Sequence, residues 1–311
     1  MQNIKKEKKK IKDRVIRANA TLPEKEYSFP LLIIVEPTNI CNLSCIMCPS
    51  SIQSRERGVM SFETWKKIVD EVSEKSPEST IWPAIMGESL TVGGPFLEML
   101  EYSYKKGVKV ILNTNAVLFN NELIDKILSF NLQEIIVGID AAKPETYNRI
   151  RRGGDFKGVV NNVLELLKRN KGKTRITVQL IEQEANSSEI EDFKGFWLAK
   201  GAVVKIRPRL GWGVGVESPN LILGQDERIG SCPWLIRTVS IHWNGKVVQC
   251  DADWDQKCVA GDLSVSTLEE IWNGELAKRR QKHRDNDFEF EPCKDCNDWQ
   301  AGLSDFYVPD K

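Results

Sequence analysis

The sequence has no excess charge of either sign, no long apolar run and no apolar segment at its start. Lysine plus arginine equals aspartate plus glutamate, at 44 each in 311 residues, so no overall field favours nucleic acid or an acidic partner. The longest apolar run, residues 30–35, is far too short to cross a bilayer. The start lacks the apolar stretch of a secretory signal. We therefore expect a cytoplasmic protein without a membrane or nucleic-acid partner.

Eight cysteines are the most informative residues that the sequence contains. In a chain without an export signal they favour reduced thiols and metal ligation over disulfides. An apolar fraction of 41% is enough for a substantial core, in one large domain or two ordinary ones. The leader, residues 1–28, is rich in lysine and arginine and predicts a solvated, poorly ordered terminal helix. A nucleic-acid or membrane-surface arm is the alternative.

Apolar, β-branched runs alternate with amphipathic segments over the first two thirds of the chain. The runs predict buried parallel strands at residues 31–35, 81–86, 108–112, 134–139, 175–181 and 202–206. Between them, Ser61 is positioned to cap one helix and Pro95 to open the next. Six strand–helix units with right-handed crossovers make an incomplete, TIM-like α/β barrel, which we assign to residues 29–215. In such barrels the chemistry lies at the carboxyl ends of the strands.

Cys41, Cys45 and Cys48 form a C-x3-C-x2-C motif soon after the first predicted strand. A [4Fe–4S] cluster normally takes four cysteine ligands, and this loop supplies three. The next cysteine is Cys232, so one iron is left open for another ligand. A zinc or disulfide loop is the alternative interpretation. The spacing, with Met47 before the last cysteine, resembles the signature loop of the radical S-adenosylmethionine (radical SAM) enzymes.

The resemblance implies a cofactor and a set of residues that hold it. In this family a six-unit partial barrel carries a [4Fe–4S] cluster whose open iron binds the amino and carboxylate groups of SAM. Gly87-Glu88 matches part of the family's Gly-Gly-Glu-Pro segment, which grips the amino group, and residues 113–115 resemble its Thr-Asn-Gly turn. The residues implied to bind SAM are Met47, Gly87, Glu88, Asn113, Asp140 and Arg151.

One cofactor contact departs from the family pattern. Relatives usually place a serine at the position of Gly138, where its hydroxyl contacts the cofactor ribose. We expect Asp140 or Asn113 to compensate for the missing hydroxyl. Arg151 resembles the family's arginine-bearing turn and is expected to pair with the cofactor carboxylate.

A second group of four cysteines lies near the C-terminus: Cys232, Cys250, Cys293 and Cys296. A hairpin predicted around Asn244-Gly245 separates the first two. From spacing alone, zinc competes with an iron–sulfur cluster. The pattern resembles the auxiliary-cluster domain of the same superfamily, in the shortened twitch form of the SPASM domain. It implies one auxiliary [4Fe–4S] cluster in a small α+β domain within residues 216–311, and it leaves Cys258 as a buried apolar thiol or a substitute ligand.

The resemblance also implies radical chemistry on a small molecule. Reductive cleavage of SAM, with electrons from a flavodoxin- or ferredoxin-type donor, gives a 5′-deoxyadenosyl radical that takes a hydrogen atom from the substrate. The closest pattern is that of 2-deoxy-scyllo-inosamine dehydrogenase-like enzymes. We therefore expect oxidation of an alcohol in a sugar, aminocyclitol or similar metabolite, with the auxiliary cluster as electron acceptor. Alcohol-oxidising relatives carry an aspartate after the second auxiliary cysteine, so Asp251 is the expected base and Asp253 the alternative.

A glycine-rich loop after the sixth strand carries the candidate substrate residues, Arg207, Arg209 and Trp212. Two guanidinium groups and an indole suit a polar substrate, through forked hydrogen bonds and a stacking face. A solvated linker is the alternative interpretation of this loop. Two other functions stay open: a peptide-modifying or epimerising radical enzyme, and a metal-binding scaffold without catalysis.

Overall fold

The structure, a computed structural model, describes residues 2–23, 26–213, 215–302 and 304–309. The helices are α1 (Gln2–Asn19), α2 (Phe62–Lys75), α3 (Gly94–Lys105), α4 (Asn121–Ser129), α5 (Pro144–Ile150), α6 (Phe156–Arg169), α7 (Ile190–Ala199), α8 (Pro233–Arg237), α9 (Leu268–Asn273) and α10 (Glu275–Arg284). The strands are β1 (Leu32–Val35), β2 (Ser44–Cys45), β3 (Thr80–Pro83), β4 (Lys109–Thr114), β5 (Glu134–Gly138), β6 (Arg151–Arg152), β7 (Arg175–Glu182), β8 (Val203–Pro208), β9 (Thr238–Ile241), β10 (Lys246–Val248), β11 (Val259–Asp262) and β12 (Asp305–Tyr307).

Six parallel strands form the barrel. They lie side by side in the order β1, β3, β4, β5, β7 and β8, which is also their order in the chain, and a helix lies between each consecutive pair. The helices bury one apolar face. In α2, for example, the Ser61 side chain accepts the N–H of Thr64, and the buried residues are Trp65, Ile68, Val69 and Val72. The partial (β/α)6 barrel predicted from the sequence is confirmed.

Successive residues of a barrel strand face opposite sides of the sheet, which separates the core from the barrel interior. In β8, Val204 and Ile206 belong to the main apolar core, whereas Lys205 and Arg207 line the interior. In β7, Gln179 faces inward in the same way. The barrel interior is therefore partly polar, although the strands that form it are mostly apolar.

The C-terminal part of the chain continues the barrel sheet at both edges. β9 lies parallel to β1, with Thr238 opposite Leu32, and β10 and β11 follow in antiparallel pairs. β12 lies antiparallel to β8 at the other edge. The predicted hairpin is present as β9 and β10, and Gly245 in its turn has a φ of 80°. The pairing of these strands with the barrel was not predicted, because strands far apart in the chain leave no local signal.

A buried network joins the end of β1 to this hairpin. Glu36 is fully buried, and Arg55 donates two hydrogen bonds to its carboxylate, at 2.8 and 2.5 Å. Nδ1 of His242, which follows β9, lies 3.4 Å from the same carboxylate. Burial acts to raise the pKa of Glu36, but the hydrogen bonds of His242 and Arg55 outweigh it and lower the pKa overall. The ionised carboxylate therefore fixes the segment that leads into the cysteine loop.

The lysine-rich helix α1 docks on the C-terminal part of the chain. Ile11 and Val15 pack in a small apolar cluster with Trp299, and Nζ of Lys8 lies 2.6 Å from Oε2 of Glu227. The prediction of a solvated, poorly ordered helix is therefore wrong. It was based on the many lysines of this segment and overlooked the short apolar stripe between them. Among the residues that the structure describes, no helix combines the length and the apolarity needed to cross a membrane.

Candidate active site

The three cysteines of the 41–48 loop line one cavity of about 480 Å³ at the carboxyl ends of the barrel strands. Cys45 lies in β2, where it pairs with Arg151 of β6. The N–H of Cys48 donates to the carbonyl of Cys45 at 3.1 Å, which turns the loop back on itself. Cys41 lines the same cavity from the start of the loop. The structure thus brings together the three thiols that were predicted to share a cluster.

These thiols fit a positively charged cluster. Burial raises the pKa of Cys41 to about 11 and that of Cys48 to about 12, and it raises the pKa of Cys45 as well. Metal cations reverse this balance, because a coordinating thiol gives up its proton. Three thiols on one short loop are the donors that three irons of a [4Fe–4S] cluster take from cysteine.

Gly87 and Glu88 form a tight turn beside the cysteine loop. Gly87 has a φ of 80°, and a Cβ at this position would overlap the carbonyl oxygen of Thr38. Glu88 is 3% exposed, and its carboxylate accepts hydrogen bonds from Oγ1 of Thr114 (2.9 Å) and the N–H of Asn115 (2.7 Å). Burial raises its pKa. Both predicted residues line the cavity, and Glu88 offers its one carboxylate where an ammonium group is expected.

Arg151 lines the cavity, and Asp140 holds it from behind. The Asp140 carboxylate is fully buried and receives Nη2 of Arg151 at 2.6 Å and the N–H of Ile181 at 2.7 Å. Burial acts to lower the pKa of Arg151, but the charge of Asp140 outweighs it and raises the pKa. Asp140 is not part of the cavity lining. The structure therefore gives Asp140 the role of orienting Arg151, which faces the cavity in its place.

Arg151 also explains the missing serine at position 138. A Cβ on Gly138 would overlap Nη2 of Arg151, so the guanidinium occupies the space where relatives are expected to carry a hydroxyl. A glycine at position 138 therefore leaves the space that the Arg151 side chain occupies. The sequence shows that position 138 lacks the family serine, and the structure shows that Arg151 is the reason.

Restoring the family serine is expected to impair this protein. In the Gly138→Ser variant the new side chain must shift the guanidinium of Arg151, which weakens its ion pair with the buried carboxylate of Asp140 and moves it from its position in the cavity. We expect SAM affinity to fall by at least about tenfold, since a charged hydrogen bond contributes about 1.5–3 kcal/mol. Equilibrium dialysis of SAM against the reconstituted protein measures this. Unchanged or tighter binding would contradict the role given to Arg151.

Met47 and Asn113, the other two residues predicted to bind the cofactor, also line the cavity. Met47 packs against Ile150 and Ile181 in a small apolar cluster beneath the loop. Oδ1 of Asn113 accepts a long hydrogen bond from Nε1 of Trp82, at 3.4 Å. The two side chains therefore offer an apolar surface and an amide group to a molecule in the cavity.

The four predicted auxiliary cysteines come from the start of α8, the end of the β9–β10 hairpin and one turn near the C-terminus: Cys232, Cys250, Cys293 and Cys296. Burial raises the pKa of every one of these thiols. The charges of Asp251 and of the other three thiols further oppose ionisation of Cys250, so all four thiols are close enough to interact electrostatically. Such a buried, mutually repelling set fits a cationic cluster.

Cys258 lies apart from both sets. The charged groups that affect its thiol are Asp253, Arg279, Glu291 and Lys257, and no other cysteine is among them. Its side chain is half-buried near the start of β11, so it is not the fully buried apolar thiol that the sequence allowed. Because no cysteine is among these charged groups, we expect that Cys258 does not serve as the substitute ligand. Cys258 is therefore a natural control for experiments on the seven other thiols.

Asp251 connects the two cysteine sets. It directly follows Cys250, yet it lines the same cavity as Cys41, Cys45 and Cys48. Burial raises its pKa to about 6, and the charge of Asp298 adds to this effect.

The alternative base, Asp253, is occupied elsewhere. Its carboxylate accepts the N–H groups of Lys257 and Cys258, each at 2.8 Å, and it does not belong to the cavity lining. Of the two candidates, Asp251 is the one whose position allows contact with a substrate.

The three candidate substrate residues all line the cavity, but two of them are engaged by the cysteine loop. Nε1 of Trp212 donates to the carbonyl of Met47 at 3.1 Å, and Nη2 of Arg209 lies 3.5 Å from the carbonyl of Ile46. Arg207 faces the barrel interior. Trp212 and Arg209 therefore position the loop, and Arg207 is the more available of the three for a ligand.

Two residues of the site, Lys205 and Asp298, were not predicted from the sequence. Lys205 lies two residues before Arg207 and shares its face of β8, so the alternation of the strand was a usable signal. Asp298 accepts the N–H groups of Gly211 (2.6 Å) and Gly213 (3.0 Å) and fixes the glycine-rich loop. No local pattern links Asp298 to a loop so far away in the chain.

Two family models match the chain. The model of the radical SAM superfamily matches residues 35–193, about half of the chain, and the model of the SPASM iron–sulfur cluster-binding domain matches residues 232–297. Among curated proteins, the mycofactocin maturase MftC of Mycolicibacterium smegmatis is 27% identical over 183 residues, which is 59% of this chain and 45% of MftC. The chain spans about half the length of the MftC proteins that it matches.

Solved structures share the fold over most of the chain. BtrN in complex with AdoMet and 2-DOIA superposes with a TM-score of 0.62 at 18% identity, over 88% of this chain and 94% of BtrN. SuiB of Streptococcus suis, bound to the precursor peptide SuiA, superposes with a TM-score of 0.68 at 13% identity, over 96% of this chain and 74% of SuiB. These structures show the shared fold. The family model that matches half of the chain shows that the chain belongs to the radical SAM superfamily, as an enzyme with a SPASM-type domain that uses SAM and [4Fe–4S] clusters.

Proposed function

We propose that this enzyme oxidises an alcohol group of a sugar, an aminocyclitol or a similar small metabolite, with the auxiliary cluster as electron acceptor. One observation carries the proposal: Asp251 lines the cavity of the first three cysteines and directly follows an auxiliary ligand, Cys250. An alcohol dehydrogenase of this class needs a base for the hydroxyl proton and an acceptor for one electron. Asp251 can serve as the base, and the auxiliary cluster next to it in the chain can serve as the electron acceptor.

Each group of the site has a part in this reaction. Cys41, Cys45 and Cys48 would hold the first cluster, and SAM bound there would supply the radical chemistry that removes the carbinol hydrogen. Glu88 receives the ammonium group of SAM, because a buried carboxylate there needs a cationic partner. Arg151 binds the SAM carboxylate in the orientation that Asp140 imposes. The carboxylate of Glu88 and the guanidinium of Arg151 thus match the ammonium and carboxylate groups of SAM.

The remaining residues take the substrate side. Asp251 accepts the hydroxyl proton, and the second set of four cysteines holds the electron acceptor directly behind it. The part of the cavity that includes Asp251 is also lined by polar side chains of the barrel interior, Gln179, Lys205 and Arg207. A cavity of about 480 Å³ that also holds SAM leaves room for a small molecule. Alcohol oxidation is also consistent with the likeness to BtrN, whose structure was solved with 2-DOIA.

Peptide modification is the second candidate, and the likeness to SuiB favours it. SuiB was solved with a precursor peptide, and its superposition covers more of this chain than that of BtrN. A peptide would have to enter the same cavity with one side chain. Among the described residues, β12 already pairs with β8, so a peptide strand could not add to β8 at that edge of the barrel sheet.

Product analysis with labelled substrates separates these functions. Anaerobically reconstituted enzyme is incubated with SAM, a reductant and sugars or aminocyclitols deuterated at their carbinol carbons. Oxidation predicts a product that has lost one deuterium and one hydrogen, with the deuterium in 5′-deoxyadenosine. A product that has only exchanged one deuterium for hydrogen would indicate epimerisation, and turnover only with a peptide would replace the proposal by the second candidate. Bound iron without any cleavage of SAM would contradict both.

A further inference from the structure

Lys205 is a buried cation in the barrel interior. It lies near the middle of β8, is 7% exposed and lines the cavity. Its Nζ lies 5.3 Å from the ring centroid of Trp82 and 5.6 Å from that of Phe306. These rings position the lysine without neutralising it, since an aromatic face is a weak partner for a full charge. The function proposed above gives Lys205 no task.

Among the described residues, no carboxylate lies within salt-bridge distance of Lys205 or of Arg207. Glu134 is near enough to affect Lys205, but its carboxylate is held by Nη2 of Arg175 (2.8 Å) and by the hydroxyl of Thr177. Burial lowers the pKa of Lys205 to about 7, and the charge of Arg207 adds to this. Asp140, Asp251 and Asp298 act on Arg207 from beyond salt-bridge distance. Two cations without a direct acidic partner therefore face one cavity from the same strand.

A buried charge without a partner destabilises a protein, so such a pair is expected where a ligand provides the opposite charge. The cofactor does not need it, because Arg151 and Glu88 match the two charged ends of SAM at the other side of the cavity. We propose that Lys205, together with Arg207, binds a carboxylate or phosphate group of the substrate inside the barrel. This inference rests on the proposed function in one respect, which is that the substrate binds in this cavity.

Binding of matched neutral and acidic compounds tests this site. Calorimetry uses the enzyme with both clusters and SAM bound, without reductant, so that no turnover occurs. The probes are glucose, glucuronate and glucose 6-phosphate, followed by myo-inositol and its 1-phosphate. We expect the acidic compounds to bind at least about tenfold more tightly than their neutral partners, because each gains a charged hydrogen bond. The carboxylate and phosphate probes distinguish the two possible anionic groups.

Two lysine variants complete the test. Lys205→Met is expected to lose the preference for the acidic probes and to unfold at a higher temperature when no ligand is present, since an unpaired buried charge has been removed. The control is Lys168→Met, because Lys168 is an exposed lysine on α6.

Equal binding of neutral and acidic probes, no saturable binding of any acid, or weaker SAM binding in Lys205→Met would each overturn the proposal. An acid that binds but is not oxidised would count against the proposed reaction and leave this site intact.

A separate observation concerns the auxiliary set, where two buried side chains are aimed at the sulfur of Cys293. The N–H of Cys232 donates to Nδ1 of His283 at 3.2 Å, so the ring proton is on Nε2, which lies 3.2 Å from Sγ of Cys293. Nε2 of Gln249 lies 2.9 Å from the same sulfur, and Nη1 of Arg279 holds the amide oxygen at 3.4 Å. His283 and Gln249 are therefore each oriented by a second partner, the N–H of Cys232 and the guanidinium of Arg279.

Hydrogen bonds to ligand sulfurs are among the features that set the potential of an iron–sulfur cluster. They stabilise the sulfur's negative charge, which is larger in the reduced cluster. The geometry points to His283 and Gln249 as positioning residues that raise the reduction potential of the auxiliary cluster and so make it a better electron acceptor.

Redox titration followed by EPR spectroscopy tests this second inference. His283→Phe and Gln249→Leu are expected to shift the auxiliary-cluster potential to more negative values, and His283→Gln, which keeps an N–H donor, to shift it less. The SAM-binding cluster of the same sample is the internal control and should keep its potential. An unchanged auxiliary potential, an equal shift of both clusters, or loss of the auxiliary cluster in all three variants would overturn the inference. The titration needs no substrate, so its result is independent of the proposed reaction.

Discussion

Replacing Cys41, Cys45 or Cys48 by alanine is expected to remove about four of about eight irons per chain and to abolish the formation of 5′-deoxyadenosine. These thiols are the three protein ligands that we propose for the first cluster, in which one iron already lacks a cysteine. A cluster with only two ligands has no stable place in the loop. Iron and sulfide analysis, EPR spectra and chromatography of the SAM products measure the effect.

The comparison with other cysteines makes this prediction specific. Cys258→Ala changes a thiol that lies outside both sets and should keep all the iron and the full rate of SAM cleavage. Cys293→Ala should lose the auxiliary cluster and substrate oxidation, while SAM cleavage without substrate continues. Loss of iron in Cys258→Ala, or SAM cleavage that survives in Cys41→Ala, would contradict the assignment of the ligands.

The sequence was sufficient wherever the signal is local. The spacing of Cys41, Cys45 and Cys48 indicated a shared cluster because three thiols in one short loop can reach one centre. Apolar, β-branched runs and helical periodicity predicted six strands and the longer intervening helices within a few residues of their observed bounds, whereas the short helix α5 was not predicted. Gly87-Glu88 is a short match, and its position at a strand end is what made it informative.

The sequence was insufficient wherever two distant segments combine. Gly138 and Arg151 compensate for each other across a turn, and only the structure shows that the arginine occupies the place of a side chain at position 138. β12 and β9 join opposite edges of the sheet, although their residues would also suit a separate small domain. Asp298 reaches back to a loop more than eighty residues earlier in the chain.

Asp251→Asn is expected to stop substrate oxidation while leaving both clusters and SAM cleavage in place. Asparagine has the size and shape of aspartate but cannot accept the hydroxyl proton, and a positioned base contributes about 10²–10⁴-fold in rate. We therefore expect product formation to fall by that range. Deuterium from a carbinol-labelled substrate should still reach 5′-deoxyadenosine, because removal of the hydrogen atom does not depend on Asp251.

Asp253→Asn is the matched control, because Asp253 is two residues away and its carboxylate holds the N–H groups of Lys257 and Cys258. That variant should unfold at a lower temperature, since asparagine accepts with only one oxygen, yet it should oxidise substrate at close to the normal rate. The reverse result, a slow Asp253→Asn enzyme and an active Asp251→Asn enzyme, would assign the base to Asp253. Equal loss of iron in both variants would show that the two residues support the auxiliary cluster, and Asp251 could then no longer be regarded as the base.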